Sequence, residues 1–143
     1  MTDLARHLSR FLLEHLPRER KASPHTLEAY AYSFQLLVGF AARRLKLKPS
    51  QLQVEQLDVS MILAFLEHIE RTRGNSARTR NARLAAIKGF FRFLEYRLAS
   101  CLDQACQIHA IPMKKTDQKL IDYLTRAEVQ ALLDAPDPQT LSG

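Results

Sequence analysis

Apolar residues recur at steps of three and four along most of this chain, which is the spacing of one face of an α-helix. The most informative pattern lies within residues 74–98. Its apolar positions are Leu84, Ile87, Phe91, Leu94 and Leu98. Nowhere is a run of alternating apolar residues long enough to predict a β-strand. The pattern therefore predicts an all-α protein.

Helix-start signals divide the first half of the chain. A helix over residues 3–16 is followed by a basic connector over residues 17–22. Ser23 then suits the N-cap of a second helix, and Pro24 suits its first position, where the missing N–H costs nothing. Pro49 stops this helix. Its predicted core face consists of Leu27, Tyr30, Phe34, Leu37, Val38, Ala41 and Leu45.

The second half of the chain contains two more helices and a short fifth one. Asp58 is the predicted N-cap of the third helix. Gly74 ends that helix, and Asn75 or Ser76 caps the fourth, which extends over the apolar pattern described above. The apolar segment 101–108 predicts a fifth helix that closes the bundle.

An aromatic run lies on the fourth helix, at residues 90, 91 and 93. We expect Phe91 to face the core, because it belongs to the apolar stripe. Phe90 and Phe93 are expected to flank it and to pack under the segment that follows the bundle.

The fourth helix also carries a polar stripe at helical spacing, formed by Arg78, Asn81, Lys88 and Arg92. Residues 71–98 have a net charge of +7, whereas the whole chain has +6 and residues 51–70 have −4. The positive charge is therefore concentrated on one element. Such a helix suits a nucleic-acid groove, where Arg and Lys neutralise phosphates and Arg or Asn contacts base edges. A solvated basic helix is the alternative.

Composition argues against several other classes of function. The 143 residues contain no apolar run that could cross a membrane, and the charged N-terminus is not a signal peptide, so we expect a cytoplasmic protein. Cys101 and Cys106 are spaced for neither a redox motif nor a zinc pair. We expect no metal, no cofactor, no membrane and no small-molecule substrate.

The last third of the chain is expected to contain a boundary. Residues 111–123 have a proline, three lysines and little periodicity, as is typical of a linker. Thr125 and Glu128 form a capping box that opens a short helix. We therefore predict a helical domain over residues 1–110, a linker over 111–123, and the truncated start of another domain over 124–143.

Three segments in this order resemble the N-terminal half of a tyrosine recombinase of the phage integrase family: SPHTLEAYAYSFQLLVGF, FLEHIERTRGNSARTRNARLAAIKGFFRFL and YLTRAEVQALLDAPD. Integrases and transposon recombinases of bacterial mobile elements are the most similar members. The resemblance implies a SAM-like core-binding bundle of four to five helices. It also implies that this bundle is one arm of a clamp around duplex DNA, and that the opening of a catalytic domain follows it.

The polar stripe and the resemblance together define the expected DNA contacts. Most lie at the start of the second helix and along the fourth. The residues are Ser23, His25, Thr26, Arg73, Asn75, Ser76, Arg78, Thr79, Arg80, Asn81, Lys88 and Arg92. The expected partners are double-stranded DNA and, in a full-length protein, other recombinase protomers.

The family's chemistry needs a tyrosine nucleophile and a set of Arg, Lys and His side chains that stabilise the charge on the phosphorane. The resemblance puts these groups beyond residue 143. We expect no catalytic residue in this chain, so that it binds DNA without cutting it, either as a piece of a longer enzyme or as a natural truncation. Two rival hypotheses are a helical protein-interaction module and a truncated recombinase that acts as a regulator.

Overall fold

The computed structural model describes residues 2–72 and 76–115. Its described residues form an all-α bundle, which confirms the predicted fold class, and none of them belongs to a β-strand. The α-helices are α1 (Leu4–Arg10), α2 (Pro24–Leu45), α3 (Val59–Thr72), α4 (Ala77–Glu95) and α5 (Leu102–His109). Helix α4 packs against α2, α3 and α5. The capping box predicted at Thr125 and the stop predicted at Gly74 lie outside the described residues.

The predicted N-caps of three helices are confirmed. Ser23 Oγ accepts a hydrogen bond from the backbone N–H of Thr26, with Pro24 in the first helical turn. Asp58 Oδ1 accepts one from the N–H of Met61 at 2.9 Å. Of the two candidates for α4, Ser76 is the N-cap. Each cap satisfies a donor that the helix itself leaves without a partner.

The first helix is longer than predicted. Beyond Arg10 the chain continues in π-helical turns over Phe11–Glu19, so the expected connector from residue 17 begins too early. Pro17 lies inside these turns. The wider turn of a π-helix separates the proline ring from the carbonyl one turn earlier, which is the clash that ends an α-helix at proline.

An aromatic cluster fills the core between the first helix, α2 and α4. The ring centroid of Phe11 lies 5.4 Å from that of Phe90, 5.3 Å from that of Phe93 and 6.1 Å from that of Phe34. Phe90 and Phe93 are therefore central core residues, and the expectation that they pack under the following segment is wrong. The first helix crosses α4 on the side where these two rings project, which periodicity within α4 alone does not reveal.

Two ends of the predicted core faces also differ. Leu45, the last residue of α2, is 37% exposed, whereas Phe40 is buried with its ring centroid 5.8 Å from that of Phe65 on α3. Helix α4 ends at Glu95, before Leu98. Leu98 follows the helix and still packs, partly buried, against the core. None of the described helices is long and apolar enough to cross a membrane.

Candidate nucleic-acid interface

Helix α4 has an exposed stripe that differs from the polar stripe expected from the sequence. It begins and ends with arginines, and small residues occupy the positions between them. In order, the stripe consists of Arg78, Ala82, Ala85, Gly89 and Arg92. All are exposed except Gly89, which is half-buried. At 1.5 Å per residue the two arginines are about 21 Å apart along the helix axis.

The two arginines of this exposed stripe are available to bind a ligand. Neither Arg78 nor Arg92 makes a hydrogen bond or an ion pair with any residue in the ranges 2–72 and 76–115. Ala82 and Ala85 between them are exposed and carry only a methyl group, so a large ligand can approach the helix backbone closely there, whereas Tyr30 and Phe11 pack over Gly89. The arrangement is therefore able to hold a polyanion between two guanidinium groups.

The starts of α2 and α4 are built alike. Each begins with a serine N-cap followed three residues later by threonine. Ser23 Oγ donates to Thr26 Oγ1 at 3.0 Å, and Ser76 Oγ donates to Thr79 Oγ1 at 3.4 Å. Both threonine N–H groups donate back to the serine oxygens. The serine hydroxyls therefore cap the N-termini of α2 and α4. The partial positive charge at a helix N-terminus favours anions.

A groove of about 510 Å³ joins α2 to the exposed stripe. Thr26 and Tyr30 of α2 and Gly89 and Arg92 of α4 line it, together with Arg20 from the preceding loop. The fold thus brings Thr26 and Arg92, two of the expected contacts, to the same groove. Arg20 was not expected there, although it belongs to the basic connector that the sequence shows before α2.

Three other polar residues of α4 bind the segment that leaves the bundle. Asn81 Nδ2 donates to the carbonyl oxygen of Lys114 at 2.7 Å, and Asn81 Oδ1 accepts from the N–H of Lys114 at 2.9 Å. Arg80 Nη1 donates to the carbonyl oxygen of Pro112 at 3.2 Å. Lys88 Nζ donates to that of Ile111 at 2.6 Å.

Burial accompanies these contacts. Arg80 is 6% exposed, so its guanidinium lies under the segment and does not reach the surface. Burial, and then the charges of Arg92 and Arg80, lower the pKa of Lys88 below its ordinary value. The expected set of contacts therefore divides in two. Arg78 and Arg92 face outward, whereas Arg80, Asn81 and Lys88 are occupied by the protein's own backbone.

Of the other expected contacts, Ser23, His25, Thr26 and Ser76 are exposed at the two helix starts, and Thr79 is half-buried beside Ser76. Arg73 and Asn75 lie outside the described residues. Arg83, a cation that was not among the expected contacts, faces α2, where its Nη1 donates to the buried Ser33 Oγ and its Cζ lies 4.9 Å from the centroid of the Tyr32 ring.

Comparison with known proteins places these features in context. Residues 8–97 match the family model described as "Phage integrase, N-terminal SAM-like domain". Two Sinorhizobium fredii proteins named as integrase/recombinase, y4rC and y4rD, are 44% and 40% identical over 98% of this chain. A tyrosine recombinase XerC of Pelobacter propionicus is 30% identical over 85% of it. No solved structure matches. The chain spans 42%, 50% and 38% of the lengths of these three relatives.

Proposed function

Because this chain belongs to the phage integrase family of tyrosine recombinases, whose N-terminal SAM-like domain it contains, we propose that it is the duplex-binding arm of a site-specific recombinase. The DNA is a recombination site of a mobile element. We propose that strand breakage is carried out by a catalytic domain that begins within residues 124–143. The described helices hold the duplex for that domain.

The exposed stripe of α4 is the observation that carries this proposal. Arg78 and Arg92 are about 21 Å apart and can each contact a phosphate, while the exposed Ala82 and Ala85 let the DNA backbone come close to the helix. Neutralising phosphates with guanidinium groups releases counterions and supplies sequence-independent affinity. The stripe is accordingly proposed as the part of α4 that faces the duplex.

The starts of α2 and α4 extend the proposed surface. Ser23, His25 and Thr26 lie at the first, and Ser76 and Thr79 at the second, so that helix N-termini and hydroxyl groups add to the arginines. Arg20 joins the surface through the groove that it shares with Arg92. Arg73 and Asn75 remain part of the proposal from the sequence. Arg80, Asn81 and Lys88 are left out of it, because each of them donates a hydrogen bond to the backbone of residues 111–114.

Titration of the chain into a labelled duplex at two salt concentrations tests the proposal. The duplex carries the mobile element's own end sequence, with a scrambled duplex alongside. We expect affinity to fall steeply with salt, and each of Arg78→Ala and Arg92→Ala to reduce the slope of log affinity against log salt by about one. Arg44→Ala is the matched control, since it makes the same charge change at the far end of α2, where Arg44 lies over the Phe40 ring.

Binding that is unaffected by both stripe variants, or that responds equally to Arg44→Ala, would contradict the proposed surface. Absence of binding at low salt would favour the rival function, a helical protein-interaction module. One observation favours that rival: an apolar groove of about 690 Å³ between the first helix and α2, beside which Leu13 is 70% exposed. Size-exclusion chromatography coupled to light scattering distinguishes the two, because the rival predicts association of the free chain.

A further inference from the structure

Three consecutive contacts connect one side of α4 to the segment that follows α5. Lys88, Arg80 and Asn81 bind the backbone of Ile111, Pro112 and Lys114 in turn, through the four hydrogen bonds given above. All of these bonds are made to main-chain atoms of the segment. On α4, these three side chains therefore contact the segment through its main chain.

The chemistry of each position fits this role. An asparagine amide has N–H donors and a carbonyl acceptor side by side in a fixed geometry, which matches the C=O and N–H of a single residue. At Asn81 both bonds go to Lys114, as they would in a β-ladder. Pro112 has no backbone N–H, so only its carbonyl oxygen needs a hydrogen-bond partner. Arg80 provides the donor.

Both ends of the segment are also fixed by side chains. The side chain of Ile111 is buried in the core, with 4% of its surface exposed. At the other end, Lys114 Nζ contacts both carboxylate oxygens of Glu70 on α3, at 2.8 and 3.0 Å. The segment is thus held across α3 and α4, from the core outward.

We infer that Arg80, Asn81 and Lys88 form a docking site for the chain's own segment 111–114, and that this site sets the direction in which the chain leaves the helical bundle. These three are positioning residues for whatever follows residue 115. The contacts are intramolecular, so the inference stands apart from the proposed DNA binding.

Residue-resolved amide hydrogen exchange of the whole 143-residue chain tests the site. The N–H of Lys114 donates to Asn81, whereas the N–H of Met113 has no partner among the described residues. In the wild-type chain we expect the Lys114 amide to exchange about tenfold or more slowly than its neighbour, after correction for intrinsic rates. Asn81→Ala should remove that protection and leave the amides of the α4 core residues unchanged.

Arg78→Ala is the matched control, since Arg78 lies on the exposed stripe of the same helix. We expect Arg78→Ala to leave the Lys114 amide protected and to weaken duplex binding. Asn81→Ala should expose the Lys114 amide to exchange and leave duplex binding unchanged. A Lys114 amide that exchanges as fast as that of Met113, or that stays protected in Asn81→Ala, would overturn the inference. Failure of the wild-type chain to bind DNA would sink the proposed function alone.

Discussion

Asn81 and Lys114 pair across 33 residues of sequence, with the amide of Asn81 bonded to both the C=O and the N–H of Lys114. Asn81 was expected to contact DNA because it lies on α4 between Arg78 and Lys88. The pairing gives it an intramolecular partner instead. It also separates α4 into an exposed stripe and a side that holds residues 111–114.

Ala85 lies in the middle of the exposed stripe, and a carboxylate there would repel a phosphate backbone. We expect Ala85→Glu to reduce affinity for duplex DNA at low salt by about tenfold or more, because it places one anion between Arg78 and Arg92. Ala31→Glu is the control: it makes the same charge change on α2, beside the apolar groove. Equal losses of affinity in the two variants, measured by fluorescence anisotropy, would show a response to net charge alone.

Ser76 is the N-cap of α4 and also lies on the proposed DNA surface. Two substitutions separate these two roles. Ser76→Ala should lower the free energy of unfolding by about 1 kcal/mol, because the N–H of Thr79 loses its acceptor. Ser76→Asp retains an N-cap acceptor and should keep stability near that of the wild type, while its charge weakens duplex binding. Urea denaturation and duplex titration measure the two effects. Undiminished affinity in Ser76→Asp would remove the start of α4 from the surface.

Lys46 ends α2 in the left-handed conformation, with a φ of 58°. Residues other than glycine are strained in this conformation, because their Cβ atom approaches the backbone carbonyl. We expect Lys46→Gly to raise the free energy of unfolding by about 0.5–1 kcal/mol. Lys48, with a φ of −74°, is the matched control, and Lys48→Gly should give no gain. Chemical denaturation that finds both variants equally stabilised would point to the lost charge as the cause.

We expect His7 to make stability depend on pH. Burial, followed by the charges of Arg10 and Arg6, lowers the pKa of His7 below its ordinary value of 6.5, and its Nδ1 atom is buried without a partner among the described residues. The unfolded chain therefore takes up a proton first as the pH falls. The stabilising contribution is complete above pH 6.5 and is lost as the pH falls through the lower, folded-state pKa.

The corresponding variant is His7→Gln, which cannot take up that proton. We expect its free energy of unfolding to fall less than that of the wild type between about pH 7.5 and pH 5.5. Urea titrations at the two pH values measure the difference. If both proteins lose the same free energy over this interval, the neutral form of His7 contributes nothing to the pH dependence.

Local chemistry was sufficient to predict the helices and much of the core. The caps at Ser23, Asp58 and Ser76 depend on side chains that bond to backbone within three residues, so the sequence contains the whole interaction. Ile62, Phe65, Leu66 and Ile69 of α3 recur at steps of three and four, and all four are buried. The same holds for Phe91 and Leu84 of α4, both of which are fully buried.

What the sequence by itself determined is the all-α class, the starts of α2, α3 and α4, and the concentration of positive charge on α4. Tertiary structure decided which side of α4 each polar residue faces, and with it whether Lys88 and Asn81 meet solvent or residues 111–114. It also put Phe93 against Phe11. Helical spacing gives the angle of a side chain around its own axis, but only the packing of distant elements decides what lies at that angle. A polar stripe can therefore be identified from sequence, whereas its partner cannot.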